Sequence, residues 1–144
     1  MAYTYQIRSL KVFRTTYWDY LKEAQSDIYS VENIANPEEL DRFENAAVYF
    51  ALNKDKVIGF SIFIPCKEPR SDYFYGTNLW LYVSPKYRNG IVPARLISGT
   101  EMWCKRQGLS YFKWDVNVDS PMIKALNKRK EYKKESIIYS KKLV

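Results

Sequence analysis

The sequence predicts an α/β fold with one mixed, mostly antiparallel sheet flanked by helices. Two observations indicate it: runs of β-branched and aromatic residues between turn signals, and segments whose apolar residues recur three and four positions apart. Together they predict about six or seven strands and about four helices. At 144 residues, the chain has the size of a single domain, 1–144, which can bury roughly two thirds of its unfolded surface.

A strand and two helices are predicted at the beginning of the chain. Tyr3 to Leu10 alternates enough to favour a strand, and Thr15 to Tyr29 repeats its apolar residues at helical spacing. Asn36 before Pro37 is typical of a helix start, because Asn caps the first turn and Pro needs no amide partner there. This short second helix should end near Glu44.

Three strands should follow as an antiparallel meander. Ala46–Leu52 and Val57–Pro65 are joined by Asn53–Lys56, a polar turn of hairpin length. After a second turn at Lys67–Asp72, the run Tyr73–Val83 is rich in aromatic and branched residues and carries no charge. Such a run indicates a central strand buried on both faces.

An amphipathic helix is predicted after that strand. Pro93 suits its first position, and Gly108 suits its C-terminal cap. The side that should pack on the sheet contains Leu96, Ile97, Thr100, Trp103 and Cys104. Beyond this helix we expect a strand at Tyr111–Val118, a helix from Asp119 to about Lys130, and a closing strand at Ser136–Leu143.

The loop between the central strand and this helix is a candidate anion site. A helix N-terminus presents unpaired N–H groups and a partial positive charge, which favour a ligand such as a pyrophosphate. Arg88, Asn89 and Gly90 lie in this loop. The alternative is an ordinary turn with Arg88 as a solvated charge.

The amino-acid composition excludes several classes of catalytic mechanism. The chain has no histidine, so zinc and histidine-based catalysis are excluded, serine or cysteine nucleophiles lack a partner base, and no metal is expected. Cys66 and Cys104 are expected to be buried free thiols. No apolar run is long enough to span a bilayer and no signal sequence is present, which predicts a cytoplasmic protein without membrane contact.

The charge is unevenly distributed. Residues 1–72 hold 9 Lys and Arg against 11 Asp and Glu, whereas residues 73–144 hold 14 against 5. The basic second half should attract an anionic partner, either a phosphorylated cofactor or a nucleic acid. The alternative is a Lys-rich tail that only maintains solubility.

The segment LWLYVSPKYRNGIVPARLI resembles motif A of the GNAT superfamily of N-acetyltransferases. The residues that match in register are Val83, Tyr87, Arg88, Leu96 and Ile97. Two glycine positions of the motif fall on Ile91 and Pro93, and Gly90 is the glycine present. The C-terminal segment is similar to the family's C-terminal motif and to small phage-type members. Asn127 stands there in place of the tyrosine that protonates the departing thiolate.

The resemblance implies acetyl-CoA, or another acyl-CoA, as cofactor. In the family, backbone N–H groups of the central strand hold the pantetheine and the following loop holds the pyrophosphate. The implied cofactor-binding residues are Leu81, Tyr82, Val83, Arg88, Asn89, Gly90, Ile91, Val92 and Asn127. Thr77 occupies the place of a strand carboxylate that often deprotonates the acceptor, and it can order a water. Asp115 on the neighbouring strand is the candidate base, with a plain surface residue as the alternative.

The sequence therefore predicts an acyl-CoA-dependent N-acetyltransferase in which a primary amine attacks the thioester directly. The sequence does not distinguish between a protein lysine or N-terminus, a small amine and a nucleobase as the acceptor. The protein is expected to be a monomer or homodimer. One alternative is a catalytically inactive binding or inhibitor protein of the same fold, phage-encoded if the phage-type resemblance holds. Another is a basic nucleic-acid-binding module.

Overall fold

A computed structural model describes residues 2–28, 40 and 42–144. They fall into two compact units, Met1–Trp114 and Asp115–Val144. The first contains β1 (Thr4–Ser9), α1 (Leu10–Thr16), α2 (Trp18–Ile28), β2 (Ala47–Asn53), β3 (Lys56–Lys67), β4 (Phe74–Val83), α3 (Val92–Arg106) and β5 (Tyr111–Lys113). The second contains α4 (Met122–Asn127).

The strands of the first unit form one five-stranded sheet in the order β1-β2-β3-β4-β5. The first four strands pair antiparallel, and β5 pairs parallel to β4. The predicted mixed, mostly antiparallel sheet is thus confirmed, and the predicted count of six or seven strands was slightly too high. The predicted single domain over 1–144 stays a prediction.

Two predicted strands differ in the structure. The strand expected at Tyr111–Val118 ends at Lys113, because its pairing with β4 ends there. The closing strand expected at Ser136–Leu143 is wrong, since these residues are described and carry no strand. Ile137 and Ile138 are exposed. A β-forming composition alone does not make a strand, because a strand is stabilised by pairing and packing with neighbours.

The centre of the sheet is β3, not β4 as the sequence indicated. Residues Val57–Phe63 of β3 are all buried, whereas only Gly76, Tyr82 and Val83 of β4 are. The burial of the two strands differs because β3 has a strand on both sides along most of its length, whereas β4 has β5 beside it only at Tyr75–Thr77. The uncharged aromatic run therefore predicted a strand correctly. Its predicted position at the centre of the sheet was wrong.

The predicted first helix is two helices in the structure. Ser9 caps α1 by accepting a hydrogen bond from the N–H of Val12 at 3.3 Å, so helix begins earlier than the apolar spacing suggested. Tyr17, with φ −121° and ψ 39°, separates α1 from α2. The short helix predicted from Asn36 to Glu44 falls largely outside the described residues.

The ends of α3 follow the predicted signals. The helix begins at Val92, so Pro93 lies in its first turn. Gln107 is the C-cap residue, and Gly108 follows it with φ +85° and donates its N–H to the carbonyl of Lys105 at 3.1 Å, so Gly108 closes the helix end as predicted. The hairpin turn between β2 and β3 is also confirmed, with Lys54 at φ 58°.

The helices cover both faces of the sheet. On one face, α1 and α2 bury Leu10, Phe13 and Leu21 against aromatic residues such as Phe50 and Phe60. On the other face, the buried residues Val92 and Leu96 of α3 pack with Ala51, Ile58 and Val83. Since Phe50 and Ala51 are consecutive in β2, they point to opposite faces, and the two clusters are separated by the sheet.

Candidate active site at the open edge of β4

The strand β4 extends beyond its neighbour β5. Its pairing with β5 covers Tyr75–Thr77, while its pairing with β3 runs from Phe74 to Val83. From Leu79 onward, no further strand of the described chain pairs with the second side of β4. An unpaired strand edge presents N–H and C=O groups that can bind an extended ligand as a further strand would.

The register shows which residues face this open edge. The N–H of Ser84 donates to the carbonyl of Ile58 at 2.9 Å, so these residues form a hydrogen-bonded pair. Hydrogen-bonded and non-hydrogen-bonded pairs alternate along an antiparallel ladder. Tyr82 therefore directs its N–H and C=O at β3, whereas Leu81 and Val83 direct theirs at the open edge. Among the predicted pantetheine ligands, the backbone groups of Leu81 and Val83 are thus placed for a ligand, and those of Tyr82 are not.

A β-bulge interrupts β4 where the open edge begins. Ile62 pairs with Trp80 and Phe63 pairs with Asn78, so Leu79 is the extra residue. A bulge bends its strand and re-aims the neighbouring groups. The indole nitrogen of Trp80, directly after the bulge, is buried without a hydrogen-bond partner. Neither feature was predicted from the sequence, because both depend on pairing with β3.

The loop after β4 leads into the N-terminus of α3. A 3-10 turn at Pro85–Tyr87 comes first, and Ile91 then stands at the N-cap position without a side-chain capping bond. The N–H groups of the first helical turn have no intrahelical partner and carry the positive end of the helix dipole. Asn89, Gly90 and Ile91 are exposed. This loop therefore offers accessible backbone donors to an anion, although Pro93 contributes none.

The side chain of Arg88 folds back from the loop onto β4. Its Nε donates to the carbonyl of Val83 at 2.7 Å, and its Nη2 donates to Oδ2 of Asp27 at 2.6 Å. The guanidinium also lies over the ring of Tyr82, 5.5 Å from its centroid. The alternative of a merely solvated Arg88 is therefore wrong.

Asp27 is the site residue that the sequence analysis missed. Its Oδ2 also accepts a hydrogen bond from the hydroxyl of Tyr82 at 3.1 Å. Burial, followed by the hydrogen bond and charge of Asp27, raises the pKa of the Tyr82 hydroxyl. Asp27 belongs to α2 and lies far from Arg88 in the chain, so no local pattern could have paired them.

A second pair of hydroxyl groups lies beside Tyr82. The hydroxyl oxygens of Tyr20 and Ser84 are 2.6 Å apart, and the rings of Tyr20 and Tyr82 meet edge to face at 6.0 Å. Burial raises the pKa of Tyr20 well above its ordinary value. Both tyrosines therefore keep their protons near neutral pH and can donate hydrogen bonds, but they cannot act there as bases.

The predicted catalytic residues lie in different units. The hydroxyl of Thr77 donates to the carbonyl of Lys113 at 2.8 Å, at the last pair between β4 and β5. Its oxygen can still accept a hydrogen bond from a water. Asp115 and Asn127 belong to the second unit, where Asp115 is exposed and Asn127 is the exposed last residue of α4. Their roles stay predictions.

Both cysteines are free, with Cys104 buried and Cys66 half-buried, not fully buried as expected. Burial raises the pKa of the Cys104 thiol to about 12. Among residues 2–28, 40 and 42–144, no group of His, Cys, Asp or Glu could hold a metal ion. None of the helices in these ranges has the length and apolar character needed to cross a membrane.

Comparison with known proteins establishes the family. Residues 12–128 match the sequence profile of the Acetyltransferase (GNAT) family. The chain therefore belongs to the GNAT acetyltransferase family. A search of curated protein sequences found no match.

Solved structures show the same fold. An aminoglycoside acetyltransferase from an uncultured soil metagenomic sample superimposes with a TM-score of 0.77 at 15% identity, covering 99% of this chain and 96% of the other. Ribosomal-protein-alanine N-acetyltransferase from Brucella melitensis gives 0.72 at 16% identity, covering 99% and 100%. Glucosamine-6-phosphate N-acetyltransferase from Arabidopsis thaliana gives 0.70 at 15%, covering 100% of both chains. At these identities the likeness concerns the fold.

Proposed function

We propose that the protein is an N-acetyltransferase that binds acetyl-CoA, or another acyl-CoA, along the open edge of β4. One observation carries the proposal: β4 ends in an unpaired edge, and a short loop leads from it to the N-terminus of α3, which lacks a side-chain cap. Pantetheine is an extended chain with amide groups, which suits a strand edge. Pyrophosphate is an anion, which suits a helix N-terminus.

The cofactor contacts are proposed from the register and the loop. The N–H of Val83 would hold the pantetheine, and the backbone N–H groups of Asn89, Ile91 and Val92 would hold the pyrophosphate. The N–H of Gly90 donates to the carbonyl of Tyr87 at 3.3 Å. A Cβ at Gly90 would meet only the carbonyl of Tyr87, at an ordinary 3.7 Å, so this glycine is not required for steric reasons. The side chain of Ile91 and the missing N–H of Pro93 leave fewer donors than a glycine-rich loop would supply.

Acyl transfer to an amine needs a polarised carbonyl and an acceptor for the amine proton. When bound, acyl-CoA supplies the activated thioester. The N–H of Leu81, close to the bulge at Leu79, would donate to its carbonyl oxygen. Asp115 would accept the amine proton through a water. If Asp115 is only a surface residue, a water ordered by Thr77 would accept the proton instead. The side-chain amide of Asn127 is too weakly acidic to protonate a departing thiolate, so we expect slow turnover.

The acceptor is proposed only as a class, a primary amine. Related folds are named for an aminoglycoside, a protein alanine and a sugar phosphate amine, so this fold accommodates different amines. A protein lysine or N-terminus, a small amine and a nucleobase are therefore the acceptors to test.

Binding is tested by a thermal melt with acetyl-CoA. A ligand at about 100 times its dissociation constant stabilises the folded state by roughly 2.7 kcal/mol, which raises the Tm by several degrees. Adenosine at the same concentration is the control, because it lacks both the pyrophosphate and the pantetheine. No shift at millimolar acetyl-CoA would refute the proposed cofactor.

Catalysis is tested by following acetyl transfer from labelled acetyl-CoA to a panel of amines. In Asp115→Asn, turnover should fall by about 100- to 10,000-fold while acetyl-CoA affinity stays nearly unchanged, because a positioned base contributes to the reaction and not to binding. Full activity in this variant would make Asp115 a surface residue. Binding without transfer to any amine would support an inactive member of the family, which the missing strand carboxylate and Asn127 favour.

A further inference from the structure

We propose that Asp27 and Arg88 form a brace that sets the hydrogen-bonding pattern of the open edge of β4. In this arrangement Arg88 supports acyl-CoA binding by holding the strand, and not by contacting the phosphates with its side chain. The inference rests on the proposed function, because it assigns roles within the acyl-CoA site.

The guanidinium of Arg88 is already engaged. Two of its nitrogens make short hydrogen bonds, Nε to Val83 at 2.7 Å and Nη2 to Asp27 at 2.6 Å. The group is a rigid planar fork, so its orientation is fixed once two of its nitrogens are held. One face also lies over the ring of Tyr82. Three guanidinium N–H groups, two on Nη1 and one on Nη2, are not used by these bonds, but turning the guanidinium towards a phosphate would break the bonds to Val83 and Asp27.

The brace changes what the strand edge offers to a ligand. The register directs both the N–H and the C=O of Val83 at the open edge, and Arg88 Nε donates to that C=O. The end of the edge nearest to α3 therefore presents mainly donors, from Val83 and from the helix N-terminus. Groups that accept hydrogen bonds, such as carbonyl and phosphate oxygens, fit this pattern.

Asp27 acts through Arg88 and is a positioning residue. Its Oδ2 accepts hydrogen bonds from both Arg88 and Tyr82, so one carboxylate orients the guanidinium and ties α2 to β4. The side chains of Arg88 and Asp27 are 46% and 38% exposed. Because the pair is partly solvated, salt should weaken it and the effect of losing it should be moderate.

The test compares acetyl-CoA with S-acetyl-pantetheine, which has no phosphates. Arg88→Ala and Asp27→Ala should each weaken binding of both ligands by a similar factor, roughly 5- to 10-fold. Asp27→Glu should recover part of the affinity, and the double variant should bind no more weakly than Arg88→Ala alone. Lys86→Ala removes another cation of the same loop and should change the affinity for S-acetyl-pantetheine by less than about twofold.

Arg88→Lys distinguishes a phosphate ligand from the brace between Val83 and Asp27. Lysine keeps the positive charge but lacks the planar fork, so it can serve as a phosphate ligand and cannot span Val83 and Asp27. The brace predicts that Arg88→Lys loses affinity as Arg88→Ala does. A shift of the Val83 carbonyl carbon resonance in Arg88→Lys and Asp27→Asn provides a readout that needs no ligand.

Three results would overturn the brace. They are an Arg88→Ala variant that weakens acetyl-CoA but not S-acetyl-pantetheine, an Arg88→Lys variant with full affinity, and losses from Asp27→Ala and Arg88→Ala that add. A wild-type protein that binds neither ligand would instead refute the proposed function, and the inference with it.

Discussion

Gly99 lets α3 approach the sheet closely, and replacing it should reveal a steric coupling with Tyr49. A Cβ at position 99 would overlap the far end of the Tyr49 ring. That ring has limited freedom to move away, since it stacks on Tyr5 with centroids 5.8 Å apart and planes 16° from parallel. In Gly99→Ala, the higher helix propensity of alanine should therefore stabilise the fold, while the overlap with Tyr49 should destabilise it.

The two effects have opposite signs and comparable sizes. Alanine in a helix interior is more favourable than glycine by about 1 kcal/mol. Overpacking typically costs about 1–3 kcal/mol. Gly99→Ala should therefore be neutral or lower the free energy of unfolding by up to about 2 kcal/mol, a Tm decrease of up to roughly 6 °C for a chain of this size.

A double-mutant cycle measures the steric part alone. Leucine at position 49 ends before the far edge of the tyrosine ring, so in Tyr49→Leu the change Gly99→Ala should become stabilising by about 1 kcal/mol. Urea denaturation of the four proteins gives the coupling, and Gly90→Ala is a control because its Cβ meets only ordinary contacts. The same stabilisation by Gly99→Ala in both backgrounds would refute the argument.

Two further predictions concern buried groups. The hydroxyl of Ser61 is fully buried without a partner, so Ser61→Ala should raise the free energy of unfolding by about 1 kcal/mol, and a loss in urea denaturation would contradict this. Burial raises the pKa of Cys104 to about 12 from an ordinary 9.0, so between pH 9 and about pH 12 only the unfolded state loses this proton. Stability should therefore fall with rising pH by up to about 1.4 kcal/mol per unit. Cys104→Ala should flatten that fall, and an unchanged slope would assign it to other groups.

Local signals in the sequence determined the parts of the site that depend on neighbours in the chain. Gly108 follows the end of α3 with φ +85°, which suits glycine, and Pro93 is the second residue of the helix, within the first turn, where no N–H is needed. The strand, loop and helix order around Arg88 followed from composition and spacing alone. These features were predicted and are present, and with them the resemblance that led to the family.

Only the tertiary structure decided which groups of the site are available to a ligand. The bulge at Leu79 and the register with β3 direct Leu81 and Val83 outward, and an isolated strand sequence contains neither. Asp27 meets Arg88 only because α2 packs beside β4. Pairing, burial and ion contacts join residues that are distant in the chain, so the residue types are encoded locally while their partners are set by the packing of the whole fold.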